Sequence, residues 1–407
     1  MLKHVLVSSA GLFVSGLLTL FTIFYSLLVL TPDYLGEVAI NFQLWLMFVV
    51  LIEFSSLTFI SSLKIVNKSL IEKTFTLSLF SAIFLIVLYE IIVAASPLTR
   101  VPEFIYSLLL ISIGYSSRAL LKRHKKFHAI SKIEIIGTFF SVFFLSIIYV
   151  VDRANFYIML LVTPNSIKAI LFFIAVPITQ LNFKISEVLK IGFFPTLEKV
   201  ITSFQYYLPY LLINQFLGPT YVGLLSQSSS IVSFGSSLVS ALSSRTFLPL
   251  MRVKITNRLS ESYQTVRKVL AYEMLLVTAF ICSISLALPF LPEVWSELRT
   301  FLFILGISAI LRVFGGDASI YFMANNRYRL LFNWRIFWCC LECGAIYLSL
   351  LLFSSDVLSF LLSWVLMLIP GYILWQYLLY KNFRFDAKAN LVVLIPCLLT
   401  VWAVYSV

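Results

Sequence analysis

The sequence predicts an all-α polytopic membrane protein with two six-helix lobes in parallel repeat around a central cavity, plus an extra C-terminal helix. Of its 407 residues, 60% are hydrophobic and 12% are charged, and the mean hydropathy is +0.99. Soluble domains carry about 25% charged residues, so this composition excludes a soluble protein. Apolar runs of about 18 or more residues, each long enough to cross hydrocarbon as a helix, recur along the chain.

Thirteen apolar windows, separated by charged or turn residues, predict the membrane spans. In chain order they cover residues 5–30, 36–62, 74–95, 103–120, 133–151, 155–177, 194–216, 220–246, 269–291, 300–323, 330–353, 357–379 and 389–406. The first window lacks a cleavage site and is too long for the core of a signal peptide, so it is interpreted as a span. The predicted domains are an N-terminal lobe at 1–187, a C-terminal lobe at 188–380 and an appended membrane segment at 381–407.

Lysine and arginine are concentrated in every second connection between the spans. Of the 30 Lys and Arg residues, 25 lie at the N-terminus or in one set of alternate connections. The other set holds only Arg100, Arg153 and Arg299. Cytoplasmic connections are enriched in basic residues, so the N-terminus is predicted to be cytoplasmic. The dense cluster from Arg118 to Lys132 is expected to fix this topology and to contact anionic lipid headgroups, not nucleic acid.

The connections and cysteines disfavour several classes of function. The connections opposite the basic side are all short, whereas glycan polymerases and ligases need large outward loops. No glycine-rich phosphate loop is present, so ATP hydrolysis is unsupported. The five cysteines lie in apolar runs, which favours packing over disulfides or a zinc site. The sequence therefore predicts no enzymatic activity, no cofactor and no metal.

An internal repeat relates the two halves of the chain. Segment 30–36, LTPDYLG, matches segment 217–223, LGPTYVG, at a separation of 187 residues. Segment 55–60, SSLTFI, matches segment 243–248, SSRTFL, at a separation of 188. Two matches at nearly one offset predict a duplicated unit with six spans in each copy, as in transporters built from parallel repeats. The Pro, Tyr and Gly of the first motif predict a tight outer hairpin between the first two helices of each lobe.

These features resemble a known family. The repeated hairpins, the segment YLPYLLINQFLG at 207–218 and the basic cluster after the fourth span resemble the polysaccharide (O-antigen, Wzx-type) flippases of the multidrug/oligosaccharidyl-lipid/polysaccharide exporter superfamily. The major facilitator family also has two six-helix repeats, but segment 64–73 lacks the Gly and Asp of its motif. A thirteenth span departs from the even helix number that is usual among the flippases.

The resemblance implies a function and partners. The protein would move an undecaprenyl-diphosphate-linked oligosaccharide repeat unit of O-antigen or a similar surface polysaccharide, as in lipopolysaccharide biosynthesis. The direction would be from the cytoplasmic to the periplasmic leaflet of a bacterial inner membrane, by alternating access. The implied partners are the lipid-linked oligosaccharide, membrane lipids, a coupling proton or sodium ion and other polysaccharide-assembly proteins, with no nucleic acid.

Charged residues within the spans are the candidates for the transport path. A charge at the centre of a membrane helix costs about 2.5–3.5 kcal/mol, so it should face a cavity or a partner. A diphosphate needs cations, and the candidates for binding it are Arg118, Lys168, Arg312 and Arg335. Carboxylates can exchange a proton or sodium ion, and the candidates for this coupling are Glu53, Asp317 and Glu342.

Alternatives remain open for these residues and for the function. The second-lobe charges can instead form ion pairs that only hold that lobe together, Arg312 with Asp317 and Arg335 with Glu342. The candidates for stacking against sugars on the seventh span are Tyr206, Tyr207 and Tyr210, although such spacing more often marks a buried aromatic face. Pro209 predicts a bend in that helix. The alternative functions are a cation-coupled small-molecule exporter of the same superfamily and a membrane glycan polymerase or ligase.

Overall fold

The protein is helical throughout the part of the chain that the structure, a computed structural model, describes. The described residues are 2–53, 68–95, 100–124, 126–151, 155–178, 180–234, 259–315, 328–353, 356–383 and 391–406. Over these ranges there are thirteen α-helices and no strand, which confirms the predicted all-α polytopic fold class. In chain order the helices are α1 (Leu2–Val29), α2 (Pro32–Glu53), α3 (Lys68–Ala95), α4 (Pro102–Arg123), α5 (Phe127–Val151), α6 (Phe156–Ala175), α7 (Ser186–Leu217), α8 (219–234), α9 (Leu259–Ala287), α10 (Leu298–Gly315), α11 (Tyr328–Phe353), α12 (Val357–Phe383) and α13 (Leu391–Ser406).

The helices account for the predicted spans, and the protein is a multi-pass membrane protein. Over the described residues, eight helices, α2 to α6 and α10 to α12, are long and apolar enough to cross a membrane. Each predicted span coincides with one helix, but α3, α5, α7 and α9 begin several residues earlier than predicted. The predicted windows stop at charged residues, whereas a helix can continue beyond hydrocarbon because it satisfies its own backbone hydrogen bonds. The predicted span ends at 62, 246 and 323 lie outside the described residues.

Packing divides the chain into two compact units. The first unit comprises Met1–Thr22 and Glu37–Tyr207, and the second comprises Ile23–Gly36 and Leu208–Val407. Helices α1, α2 and α7 therefore each contribute one part to each unit. The lobe limits inferred from the sequence repeat stay a prediction, because these units are defined by packing and not by the repeat.

Helix α4 lies at the centre of the first unit, where it packs against α3, α5 and α6. The backbones of α4 and α6 approach closely at Gly114, where a Cβ would lie 2.5 Å from the Cα of Ala169. Trp45 of α2 is fully buried, donates a hydrogen bond from Nε1 to the Ser107 hydroxyl at 2.7 Å, and packs against Phe104. The close approach at Gly114 and the buried contact with Trp45 thus help to set the position of α4.

The C-terminal helix packs on the second unit with one of its faces. Helix α13 packs against both α9 and α10, and α12 packs against α10 and α11. Leu394, Cys397 and Val401 of α13 are buried, and Tyr405 stacks on Phe303 with ring centroids 4.1 Å apart. The 16 residues of α13 extend over about 24 Å, less than the roughly 30 Å of hydrocarbon in a bilayer. The opposite face of this short helix is apolar and exposed.

Two helix junctions follow directly from local sequence. Gly218 is the single residue between α7 and α8, and its φ of +90° is accessible to glycine without strain. Its amide donates hydrogen bonds to the carbonyl oxygens of Ile213 and Asn214, which closes the end of α7. At the start of α12, Asp356 accepts hydrogen bonds from the Ser359 hydroxyl and the Leu358 amide, which hold the pKa of its carboxyl below the usual value.

Replacing Gly114 with Ala should destabilise the first unit, because the added methyl group would overlap the backbone of α6. Overpacking of this kind costs about 1–3 kcal/mol. Gly344→Ala in α11 is the matched control, because a Cβ there meets nothing within 4 Å and alanine favours helix. The measurement is the apparent thermal midpoint of each purified variant in one detergent at one heating rate. A midpoint for Gly114→Ala at or above that of Gly344→Ala would contradict the close approach of α4 and α6.

Candidate functional site

Lys168 lies at the meeting point of three helices of the first unit. From α6, its Nζ donates a hydrogen bond to the Ser15 hydroxyl of α1 at 2.9 Å. The Ser15 hydroxyl lies 3.4 Å from that of Thr138 on α5. The lysine stem crosses α5 at Gly137, where a Cβ would lie 2.7 Å from the Lys168 Cγ. The absence of a side chain at Gly137 therefore lets the lysine reach Ser15 along the surface of α5.

Arg118 lies near the basic end of α4 and forms an ion pair with Glu134 of α5. The Arg118 Nη2 and Glu134 Oε1 atoms are 3.3 Å apart, and the guanidinium also lies over the Phe172 ring, 5.4 Å from its centroid. The Glu134 side chain is 5% exposed and that of Arg118 is 38% exposed. The carboxylate is therefore buried, while the cation remains accessible.

A second ion pair joins α2 to α7. Lys199 Nζ donates a hydrogen bond to Glu53 Oε1 at 2.6 Å, with the side chains 26% and 11% exposed respectively. Tyr115 of α4 lies within electrostatic range of both Glu53 and Arg118.

These polar contacts all lie within the first unit. The Thr138 hydroxyl also donates a hydrogen bond to the backbone carbonyl oxygen of Glu134 at 2.8 Å, which places the Lys168 group one turn of α5 away from the residue that pairs with Arg118. The polar network consists of Ser15, Glu53, Tyr115, Arg118, Glu134, Thr138, Lys168 and Lys199. Its members contribute three cations and two carboxylates, so it is suited to hold an anionic group, while its carboxylates could exchange a proton or metal cation.

Three of the predicted site residues, Arg118, Lys168 and Glu53, belong to this network. Sequence reasoning missed Lys199, because it was assigned to a connection, whereas it lies well inside α7. It also missed Ser15 and Thr138, which are common residue types with no distinctive spacing. The roles predicted for all of these residues stay predictions.

The predicted residues of the second lobe are described only in part. Arg335 is half-buried and Glu342 is buried, both on α11 and two turns apart. Arg312 lies in α10, but its side chain is outside the described residues, as is the whole of Asp317. Their assignment to headgroup binding, ion coupling or mutual pairing therefore stays a prediction.

The three tyrosines predicted to stack against sugars differ in exposure. Tyr206 is exposed, whereas Tyr207 and Tyr210 are buried. Tyr207 is the last residue of the first unit on α7, and Tyr210 belongs to the second unit. Burial favours packing for Tyr207 and Tyr210, and the sugar-stacking role of all three tyrosines stays a prediction.

The described residues contain no group of three or more His, Cys, Asp or Glu side chains that could hold a metal ion. Cys339 and Cys343, one turn apart on α11, are free thiols whose sulfur atoms lie 3.9 Å apart.

Known structures share this fold at low sequence identity. A MATE protein in complex with MaL6 matches with a TM-score of 0.63 and 13% identity, covering 96% of each chain. The inward-facing conformation of a multidrug resistance MATE family transporter of the MOP superfamily matches with a TM-score of 0.58 and 13% identity, covering 100% of this chain and 96% of the other. The outward-facing conformation of such a transporter matches with a TM-score of 0.59 and 14% identity, covering 96% of each.

No family model and no curated protein matches the sequence. The chain shares its fold with solved structures of MATE transporters. At this level of identity the likeness defines the fold, and it does not distinguish one subfamily of transporters from another.

Lys199→Ala should destabilise the first unit, because it leaves the buried Glu53 carboxylate without its lysine. An unsatisfied buried group costs about 1–3 kcal/mol, and more when it is charged. The double variant Glu53→Gln/Lys199→Gln removes both charges and should recover much of the loss. Lys68→Ala is the matched control, since Lys68 is 79% exposed in its pair with Glu72 and such pairs contribute little. The measurement is the thermal midpoint of each purified variant in detergent. Equal midpoints for Lys199→Ala and Lys68→Ala would contradict a stabilising role for the Lys199–Glu53 pair.

Proposed function

We propose that the protein is a secondary transporter that works by alternating access in a bacterial inner membrane. The polar network inside the first unit carries this proposal, because ionisable groups among apolar helices are costly and therefore usually mark a transport path or ion site. The likeness to transporters named as inward-facing and outward-facing supports the same mechanism. The biased distribution of Lys and Arg supports a cytoplasmic N-terminus, which places the repeated hairpins on the outer side.

A cation-coupled exporter of small molecules is the function that the known structures support best. The inward- and outward-facing relatives in fold are named as multidrug resistance transporters. Glu53 and Glu134 are carboxylates with little exposure that could release a cation partner and take up a proton or sodium ion. In this proposal the Lys199 and Arg118 pairs open and close as the coupling ion enters and leaves.

A flippase for a lipid-linked oligosaccharide is the second candidate, and the charge of the site favours it. The described members of the polar network carry more cations than carboxylates, which suits a diphosphate better than a cationic drug. Arg118, at the basic end of α4 and partly exposed, would meet the headgroup first, and Lys168 would bind it deeper in the unit. Polysaccharide-assembly proteins would then be partners.

Lys168→Ala distinguishes these two candidates. If the protein is a flippase, Lys168→Ala should reduce surface polysaccharide assembly at least about tenfold, because it removes a cation that binds the diphosphate in its low-dielectric path. Lys168→Arg keeps the positive charge and should retain part of the activity. An exporter of organic cations should keep its transport, because removing Lys168 reduces repulsion of the cargo.

The measurement compares two readouts in cells that lack the endogenous protein: surface polysaccharide, and efflux of a lipophilic cation driven by a proton or sodium gradient. Lys132→Ala, at an exposed lysine of α5, is the control. Normal performance of Lys168→Ala in both assays would remove Lys168 from the mechanism. An absence of both activities from the wild-type protein would contradict both candidates.

A further inference from the structure

The two copies of the repeated hairpin motif contact each other reciprocally within the second unit. A Cβ on Gly36 would lie 2.7 Å from the carbonyl carbon of Pro219, and closer still to its oxygen. A Cβ on Gly223 would lie 2.7 Å from the carbonyl carbon of Pro32, again with the oxygen closer. The glycine of each motif copy therefore receives the proline carbonyl of the other, a pseudo-two-fold arrangement that the sequence repeat did not reveal.

Side-chain contacts extend this reciprocal contact along both hairpins. The Thr220 hydroxyl donates a hydrogen bond to Asp33 at the hairpin tips. Nearer the membrane interior, the Gln227 side chain of α8 donates a hydrogen bond to the Ile23 carbonyl oxygen of α1 at 3.0 Å. The contact thus runs from the tip of the first hairpin to Ile23, the residue at which α1 joins the second unit.

The division into packing units agrees with this contact, because the end of the first hairpin packs with the second repeat. Segment Ile23–Gly36 belongs to the second unit, although the remainder of α1 and α2 belongs to the first. Ser26 on this segment is only 1% exposed, and Leu35 is also buried. The first repeat thus contributes the end of its hairpin to the unit that holds most of the second repeat.

We propose that Pro32, Asp33 and Gly36 form, with Pro219, Thr220 and Gly223, an outer clasp that must open and re-form in each transport cycle. This inference rests on the proposed transporter function. Its contacts suit a reversible closure, because backbone meets backbone at two glycines and no ion pair joins the tips. Surfaces of this kind can separate without any rearrangement of interdigitated side chains. Because the fit at each glycine is tight, a single added methyl group should destabilise the closed state.

Substitution of either glycine should shift the clasp towards its open state. The reporter is Ser26→Cys, a near-isosteric change at a buried position, labelled from outside the cell with a membrane-impermeant maleimide. Labelling should be slow in the otherwise unchanged protein and about fivefold faster or more when Gly36→Ala or Gly223→Ala is added. The protein without Ser26→Cys gives the background from the five native cysteines.

Gly344→Ala is the matched control, because a methyl group there meets no neighbour, and it should leave the labelling rate unchanged. The two clasp glycines lie on different hairpins, so the same response from both would separate an opened clasp from a local folding defect in one hairpin. Unchanged slow labelling in both glycine variants would overturn the clasp, as would equal acceleration by Gly344→Ala.

A covalent link tests whether the clasp has to open. Asp33→Cys/Thr220→Cys places two thiols at the hydrogen-bonded tips, where a short bifunctional thiol reagent or an oxidant can join them. Linking should stop transport, and reduction should restore it; transport at an unchanged rate in the linked protein would overturn the proposal. The labelling experiment does not depend on the transport assays. If the glycine substitutions accelerate labelling but the wild-type protein transports neither lipid-linked oligosaccharides nor small cations, the transporter assignment fails while the opening of the clasp stands.

Discussion

A lysine in the middle of a membrane helix has to find its hydrogen-bond acceptors inside the protein, because hydrocarbon offers none. Lys168 meets this constraint by donating a hydrogen bond to the Ser15 hydroxyl. It reaches that hydroxyl because Gly137, which its side chain crosses, has no side chain of its own. The same constraint explains the pairing of Glu53 with Lys199 and of Glu134 with Arg118. These polar contacts therefore add to apolar packing in positioning the helices of the first unit.

The helices were predictable from sequence because each spanning segment must satisfy its own backbone, which makes length and apolar composition sufficient signals. The partners of the charges were not predictable in this way. Ser15 is 153 residues from Lys168, and Glu53 is 146 residues from Lys199, so no local spacing connects them. Lys199 was also missed because it was counted with the basic connections, although it lies inside both the predicted span 194–216 and α7.

The repeat motif was visible in the sequence, and the hairpins that it predicted are present. Its reciprocal contact was not visible, since a motif that recurs at a fixed offset does not reveal that its two copies meet. The two kinds of contact consequently depend on different physics. The charged pairs of the first unit are sensitive to ions and to proton binding, whereas the glycine contact of the second unit is sensitive to volume and almost indifferent to salt.

The single-residue junction at Gly218 has a consequence for movement. Helices α7 and α8 follow each other with no loop between them, and Gly218 has a left-handed backbone. A junction this short has no spare length, so neither helix end can move far without displacing the other. The end of α7 and the start of α8 are therefore mechanically coupled.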